Sequence, residues 1–589
     1  MLASGRSGLV FDLLTVPVSR SLHHPHSSLR PLYLSFSSAI TTLTRWSQRR
    51  AFSTMTHSHN DLFEYTSGRW IYNDALRLAE RRRVFNVDGL CRLAAQSVDR
   101  SPDDIVEFTK PAEGGGSNRI FLITMRGGFQ MVARIPYPVT APKYYTVASE
   151  VATTALLRSS GLPIPKVYGY SPVLDNAAET EYIFMEYVEG SKLSDVWRGL
   201  GEQEIISVLR QLTQLESKMM SISFPAGGSL YYAHDLEKVA GGPGIPLTDQ
   251  RFCVGPDVRL PLWYGRRSRL DVDRGPYESL EAALVRPAHK ELAYLKEFGQ
   301  PLLPFQHVRR DAYQYKEQSP ADHVENLGRY LLLASSLIPR DPALSRFCIR
   351  HPDLQHNNII VSRSPDSNWQ IVSLIDWQHA SILPAFLLAG IPERMQNYDD
   401  PVSLSMIQIS PLENLSDLDE TEQSRGKELY HRRLMHYYYV KNTEECNELH
   451  YKAFIDPVGM LRRRLFHHAG DPWEGETLAL KVALIEATKK WEALTGGGAP
   501  CPIVFDAEDI QETMKLDAKK TEADESLEMC QIIIGFGPEG WVPTERYEEA
   551  MRHSNRIKED HWAAAESTEE RATLATHWPF DDMDEEKYM

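Results

Sequence analysis

Residues 351–380 read HPDLQHNNIIVSRSPDSNWQIVSLIDWQHA, the stretch of the chain densest in groups capable of chemistry. Asp353 is followed five positions later by Asn358. Two apolar runs come next, Ile359-Ile360-Val361 and Ile371-Val372-Ser373-Leu374-Ile375, divided by a polar connector holding Pro365, Asp366, Ser367 and Asn368. Apolar, β-branched runs bounded by turn-forming residues predict two short strands joined by a turn. A hairpin of that kind returns Asp376 close to Asn358, with Asp353 on the loop ahead of both. Two oxygen ligands beside a separate carboxylate are what metal-assisted phosphoryl transfer requires. Magnesium takes hard oxygen ligands, while a free carboxylate orients a hydroxyl and takes its proton. The same three residues also suit ordinary turns, so the segment alone leaves both readings open.

The order HxDLxxxNI followed by IDW resembles the catalytic and metal-binding segment of the aminoglycoside phosphotransferase-like enzymes. That resemblance implies an α+β, bilobal, protein-kinase-like fold with a mostly helical large lobe and a C-terminal extension. It implies that His351 precedes the base, that Asp353 is the base, and that Asn358 and Asp376 are the metal ligands, with ATP and Mg2+ as cofactors. Trp377 stands where protein kinases carry the phenylalanine of their DFG segment, and no clear APE motif follows. The chain therefore resembles the small-molecule-kinase branch. The acceptor is expected to be a small molecule bearing a hydroxyl, and the family's name does not transfer an antibiotic substrate to this chain.

Upstream, Ile105–Phe108 precedes the run Glu113-Gly114-Gly115-Gly116-Ser117-Asn118-Arg119, and Ile120–Ile123 and Met131–Ile135 follow as expected strands. Glycines between strands permit a tight turn and close approach of backbone donors to phosphate. A nearby GK[ST] is missing, so this is no Walker A loop, and a plain flexible hairpin fits the run as well. In the kinase-like order, the resemblance assigns Gly114, Gly115, Gly116, Ser117 and Asn118 to the nucleotide loop. It assigns Arg134 to the nucleotide phosphates and Glu150, on a following helix, to orienting that cation. Protein kinases use lysine at the first position, and a planar guanidinium changes the geometry. Arg134 then either contacts phosphate or serves mainly as an ion pair with Glu150. Glu186–Gly190 resembles the hinge, where backbone atoms of residues such as Glu186 and Val188 pair with adenine.

The 589 residues, 42% of them hydrophobic, are enough for a large bilobal enzyme. A formal charge of −16 argues against a generally basic nucleic-acid-binding surface. The six cysteines lie far apart and fit neither a zinc nor a redox motif. Before Ser53 the chain carries Arg6, Arg20, Arg30, Arg45, Arg49 and Arg50 against the single acid Asp12. That composition predicts a mitochondrial transit peptide over 1–52, and a mature protein in the mitochondrion, in the matrix. An unstructured tail is the competing reading. Segment 9–18 is too short and too polar to span a membrane. With the leader, the chain is also similar to fungal altered-inheritance-of-mitochondria proteins that carry a phosphotransferase domain.

The expected organisation is a helical attachment over 53–99, a small lobe over 100–190 and a large lobe over 191–495. An acidic helical extension over 496–589, offered as a surface for a protein partner, completes it. The helix-like run 73–83 is expected to present Arg81, Arg82 and Arg83 on a solvated face. An insertion near 240–277 combines Arg259, Arg266, Arg267, Arg269 and Arg274 with Trp263, Tyr264 and Tyr277. It suits either an anionic or sugar-like acceptor or a covering layer. The functional expectation is a mitochondrial ATP- and magnesium-dependent phosphotransferase. The alternative is a catalytically weak or inactive kinase-like regulatory or binding protein.

Overall fold

The computed structural model describes residues 61–64, 66–111, 116–239, 244–364, 368–410 and 419–589. The expected leader 1–52 and the loop residues Gly114 and Gly115 lie outside the described residues. The chain folds as a bilobal α+β, kinase-like molecule. Strand β1 (Gly68–Trp70) and helices Asp74–Arg81 and Val87–Gln96 precede the small-lobe sheet. That sheet contains β2 (Ile105–Thr109), β3 (Asn118–Met125), β4 (Gln130–Pro136), β5 (Val167–Ser171) and β6 (Tyr182–Glu186). Its order is β2-β3-β4-β6-β5, antiparallel throughout.

Strand alternation decides which side chains meet. Phe121, Ile123 and Met125 of β3 and Met131, Ala133 and Ile135 of β4 are fully buried, packed with Leu90 and Ala94 of helix Val87–Gln96. Successive strand residues point to opposite faces. Arg134 therefore projects to the other face, which helix Lys143–Ser159 covers with Val147, Val151 and Glu150.

After β6 the chain crosses to the large lobe through residues 187–190 and forms β7 (Ser191–Lys192). The register of β7 on strand Ile359–Arg363 joins the crossover directly to the catalytic hairpin. Strand Trp369–Leu374 completes that three-stranded sheet. A Cβ on Gly190 would lie 2.7 Å from Ile360 Cγ2 and from the Val361 carbonyl oxygen, so only glycine lets the crossover lie against the hairpin.

The large lobe is built from amphipathic helices. On helix Glu202–Ser221 the residues Ile205, Val208, Leu209 and Leu212 are buried at helical spacing, and they share one core with Tyr294, Leu327, Tyr330, Leu465 and Leu484. Residues 244–277 cover this lobe, and three of the five arginines that suited a binding surface turn inward. Arg267 is fully buried and donates to Glu291 at 2.7 and 2.5 Å. Arg274 donates to the Leu262 and Leu270 carbonyls. Arg259 pairs with Asp257 at 2.7 Å.

Residues 68–81 meet the C-terminal residues 541–585. β1 pairs antiparallel with strand Trp541–Pro543, and Arg77 forms a 2.6 Å ion pair with Glu585. The expected solvated arginine face is corrected here. Arg81 is buried, with its guanidinium over the Trp70 ring, and Arg83 is ion-paired with Glu181 with only about a tenth of its side chain exposed. Arg82 alone of the three is well exposed, beside Glu64. The physical reason is coverage: residues 507–589 pack onto this segment through a separate core of Ile71, Ile534, Phe536, Val542 and Trp578.

Candidate functional site

The hairpin returns the chain as its spacing predicts. Ile359 pairs with Leu374, and the Ile375 N–H donates to the Asn358 carbonyl at 3.0 Å. Asp376 thus begins where Asn358 ends. Asp376 has φ +66°, in the left-handed region that costs a non-glycine residue energy and that clusters at functional sites.

His351 and Asp353 are held from behind. The Asp353 N–H donates to His351 Nδ1 at 3.1 Å, which makes Nδ1 an acceptor and leaves Nε2–H to donate to the Ile375 carbonyl at 2.9 Å. Burial pushes the imidazole down to about 4, so it stays neutral at physiological pH. The neutral ring, packed against the buried Trp377, ties the loop before the hairpin to the residues that lead from strand Trp369–Leu374 into Asp376.

The Asp353 carboxylate accepts from Gln355 Nε2 at 2.6 Å and from Asn358 Nδ2 at 3.2 Å. Both donors converge on Oδ2, which fixes the carboxylate's rotation and turns Oδ1 the other way. Burial raises its pKa to about 6, the nearby Asp376 charge adds to the rise, and the two amide donors oppose it. A carboxyl of that pKa is mostly ionised at neutral pH and basic enough to accept a proton. Asn358 also donates to the Asp353 carbonyl at 2.8 Å. Its amide nitrogen therefore faces Asp353 and its oxygen faces away.

Arg134 joins the lobes. It pairs with Glu150, and its Nη2 donates to Asp376 Oδ1 at 2.7 Å and to Gln378 Oε1 at 2.8 Å. With its amide oxygen turned to the guanidinium, Asn118 accepts from Arg134 Nη2 at 2.6 Å and Nε at 2.9 Å. Burial disfavours the guanidinium charge, but the Glu150 and Asp376 carboxylates more than offset this and hold it protonated. The Asp376 side chain stays 42% exposed, so Oδ1 is held while the carboxylate still faces the cleft.

The remaining expected residues divide. Gly116 is exposed, and the Ser117 carbonyl accepts from the Tyr137 N–H and Thr140 Oγ1. The Glu186 carboxylate accepts from the Lys166 N–H at 2.9 Å and lies 3.3 Å from Arg158, while its own N–H donates to the Lys166 carbonyl. That side chain therefore braces the small lobe and does not face the crossover. Val188 is half-buried on the irregular crossover. Sequence reading missed Gln355 and Gln378, the partners of Asp353 and Arg134. Their positions two residues after Asp353 and Asp376 were the available signal. It also missed the contact of His379 Nδ1 with the Val258 carbonyl at 2.8 Å, which seats the 244–277 segment beside the catalytic turn.

Among the described residues no helix is long and apolar enough to cross a membrane, and no three or more His, Cys, Asp or Glu side chains gather into a metal-binding group. The donor set suits magnesium nonetheless. That ion is held by one or two carboxylates plus substrate phosphates, not by an all-protein cage. The half-exposed Asp376 and the outward amide oxygen of Asn358 are hard donors of this kind.

A buried cation–carboxylate pair on a five-stranded sheet, a crossover and an Asp–Asn–Asp hairpin, in that order on two lobes, define a kinase-like fold. Residues 109–241 match the model of the phosphotransferase enzyme family. That span contains Arg134, Glu150 and the crossover, and ends before Asp353.

Among individual proteins, the chain is 28% identical over 511 residues to a subtelomeric hrmA-associated cluster protein of Aspergillus fumigatus, covering 81% of this chain and 97% of that protein. It is 23% identical to the mitochondrial altered inheritance of mitochondria protein 9 of Clavispora lusitaniae, covering 90% and 93%. The protein of that name from Saccharomyces cerevisiae gives 23%, covering 85% and 89%. Of solved structures, the gentamicin complex of APH(2")-IIa is 14% identical with a TM-score of 0.31, covering 72% of this chain and 100% of that one. The ethanolamine kinase of Plasmodium vivax is 11% identical with a TM-score of 0.31, covering 71% and 82%.

Proposed function

We propose that the protein is an ATP- and magnesium-dependent phosphotransferase acting on a small hydroxyl-bearing acceptor, in the mitochondrion. The observation that carries this reading is the convergence of Asp353, Asn358 and Asp376 around one hairpin, tied by Arg134 to the sheet that bears the glycine turn. Asp353 orients the acceptor hydroxyl and takes its proton as the oxygen bonds to the γ-phosphorus and ADP leaves. Asn358 and Asp376 hold magnesium, which when bound neutralises charge on the phosphate oxygens. Gly114, Gly115, Gly116, Ser117 and Asn118 close over the phosphates, Arg134 and Glu150 fix Asp376, and the crossover around Glu186 and Val188 meets the base. The basic leader 1–52 and the resemblance to proteins named as mitochondrial support the location.

A second reading, a kinase-like binding protein without turnover, draws on Arg134. Its guanidinium already serves Glu150, Asp376 and Gln378, and a phosphate contact would have to compete with them. On this reading the 496–589 extension recruits a protein partner. Incubating the purified full-length chain with ATP, magnesium and a mitochondrial metabolite extract separates the two. A phosphorylated product made by the wild type and lost in Asp353→Ala supports transfer. Equal product from the variant defeats the base role, and nucleotide binding without any product favours the second reading.

A further inference from the structure

Beyond the reacting centre, one arginine of the large lobe stands apart from the ion pairs described above. Helix Gly459–Gly470 carries Arg463 and His467 one turn apart, on one face. Arg463 donates a single long hydrogen bond, 3.5 Å, to the Phe386 carbonyl. Among the described residues no carboxylate stands within ion-pair distance of it, because Asp456, the nearest acid acting on it, is engaged by Arg462. Most of the N–H donors of this half-buried guanidinium are therefore available. Burial and the neighbouring Arg350 push its pKa down to about 10, the penalty of a cation whose counter-charge is missing. Burial and the nearby Arg259 and Arg463 push the His467 imidazole down to about 3, so it is neutral at physiological pH.

Two stretches of chain lead from this arginine toward the proposed site. Phe386 lies in the short helix Ala385–Leu388, ten residues beyond Asp376 along a segment that continues to Glu393, whose charge acts on Asp353. Arg259 follows Val258, the residue hydrogen-bonded to His379 beside Asp376. Tyr398, further along that segment, lies close enough to Arg463 for the two to interact electrostatically. Glu393 and Arg394 contribute one charge of each sign, and Asp257 offsets Arg259, so the surplus positive charge is that of Arg463.

We infer that the acceptor is anionic: a hydroxyl-bearing metabolite whose carboxylate or phosphate group is held by Arg463, beside Tyr398 and the neutral His467. This rests on the phosphotransferase reading above and narrows its substrate class. A planar guanidinium matches carboxylate and phosphate geometry, and a charge taken out of water without a partner is stabilised when an anion arrives. An ammonium group would be repelled by Arg463.

The test has two arms. In the first, the full-length protein, ATP and magnesium are offered metabolite fractions retained by an anion exchanger, retained by a cation exchanger, or retained by neither. Transfer is expected in the anion-exchanger fraction. Arg463→Gln is expected to raise the KM for that acceptor about 30-fold while kcat and the KM for ATP stay within about 3-fold. Arg463→Lys, which keeps the charge, should recover part of the loss. Transfer confined to the other fractions, or an unchanged acceptor KM in Arg463→Gln, overturns the inference.

In the second arm, glycerol 3-phosphate is titrated calorimetrically without nucleotide into wild type and into Arg463→Gln of matched melting temperature. Binding by the wild type that weakens at least 10-fold in the variant upholds the anion site even if no transfer is ever seen, the outcome in which only the phosphotransferase reading fails. Equal binding by both proteins, or none by the wild type, counts against the site.

Discussion

Two buried charge clusters in this molecule are built to opposite ends. In the large lobe, Glu291 accepts from Arg267, from Lys290 at 2.7 Å and from the Trp473 N–H at 2.6 Å, and all three charged side chains are fully buried. Lys290 also donates to the Gly470 carbonyl, and Arg267 stacks over Tyr294 at 3.6 Å. In the cleft, Arg134 is buried between Glu150 and Asp376, but Asp376 is 42% exposed, and it sits in left-handed backbone. Asp353 beside it has a pKa displaced to about 6. The first cluster is closed: its carboxylate is taken up by two cations and a backbone N–H, all buried, although Arg267 Nη1 finds no hydrogen-bond partner. The second leaves exposed acceptor capacity and an unfavourably placed carboxylate, the signature of groups arranged for a ligand.

Substitutions that separate these roles test the contrast. The largest stability effect belongs to the closed cluster. Glu291→Ala leaves Arg267 and Lys290 buried without their counter-charge and is expected to cost about 3–5 kcal/mol by urea unfolding. Nucleotide affinity of the surviving folded fraction should be unchanged. Arg134→Met should cost less, about 2–3 kcal/mol, because Asp376 can turn to water. It should also weaken magnesium–nucleotide binding, which calorimetry would read. A variant that lost stability alone would make Arg134 a purely structural pair.

Asp353→Asn is expected to stabilise the fold by about 1–2 kcal/mol, since it removes a carboxylate whose charge the site disfavours. The pH dependence follows in sign. The folded carboxyl keeps its proton up to about 6, whereas the ordinary value is 3.8. The native state then binds more protons than the unfolded chain between those values, so this group's contribution to stability falls as pH rises through that window and is lowest above it. Wild type minus Asp353→Asn melting temperature, measured from pH 4 to pH 8, should show that decline and then a plateau. Transfer should move the other way, falling tenfold per pH unit below about 6 as the base protonates.

Much of the site was legible because it is local. The strands around 359–363 and 369–374, and the return of Asp376 to Asn358, follow from one apolar–polar–apolar pattern. The Arg134–Glu150 pair follows from strand alternation, which forces Arg134 off the face occupied by Ala133 and Ile135. Contacts between distant segments were not legible. β1 and strand Trp541–Pro543 have three residues each, too short to carry a periodic signal, and their pairing joins opposite ends of the chain. Composition made the arginines of 240–277 look like a binding surface, but Arg267 and Arg274 turn inward to a carboxylate and to carbonyls that sequence spacing cannot place. The same holds for Arg77, whose partner Glu585 sits in the last residues.

The most direct test compares Asp376→Asn with Asp353→Asn in magnesium–ATP binding by calorimetry and in phosphate transfer. Asp376→Asn is expected to lose binding by at least 10-fold. Asp353→Asn should bind magnesium–ATP like the wild type yet transfer phosphate about 100- to 10,000-fold more slowly. Wild-type magnesium–ATP affinity in Asp376→Asn, or undiminished transfer by Asp353→Asn, would contradict a phosphoryl-transfer centre at this hairpin.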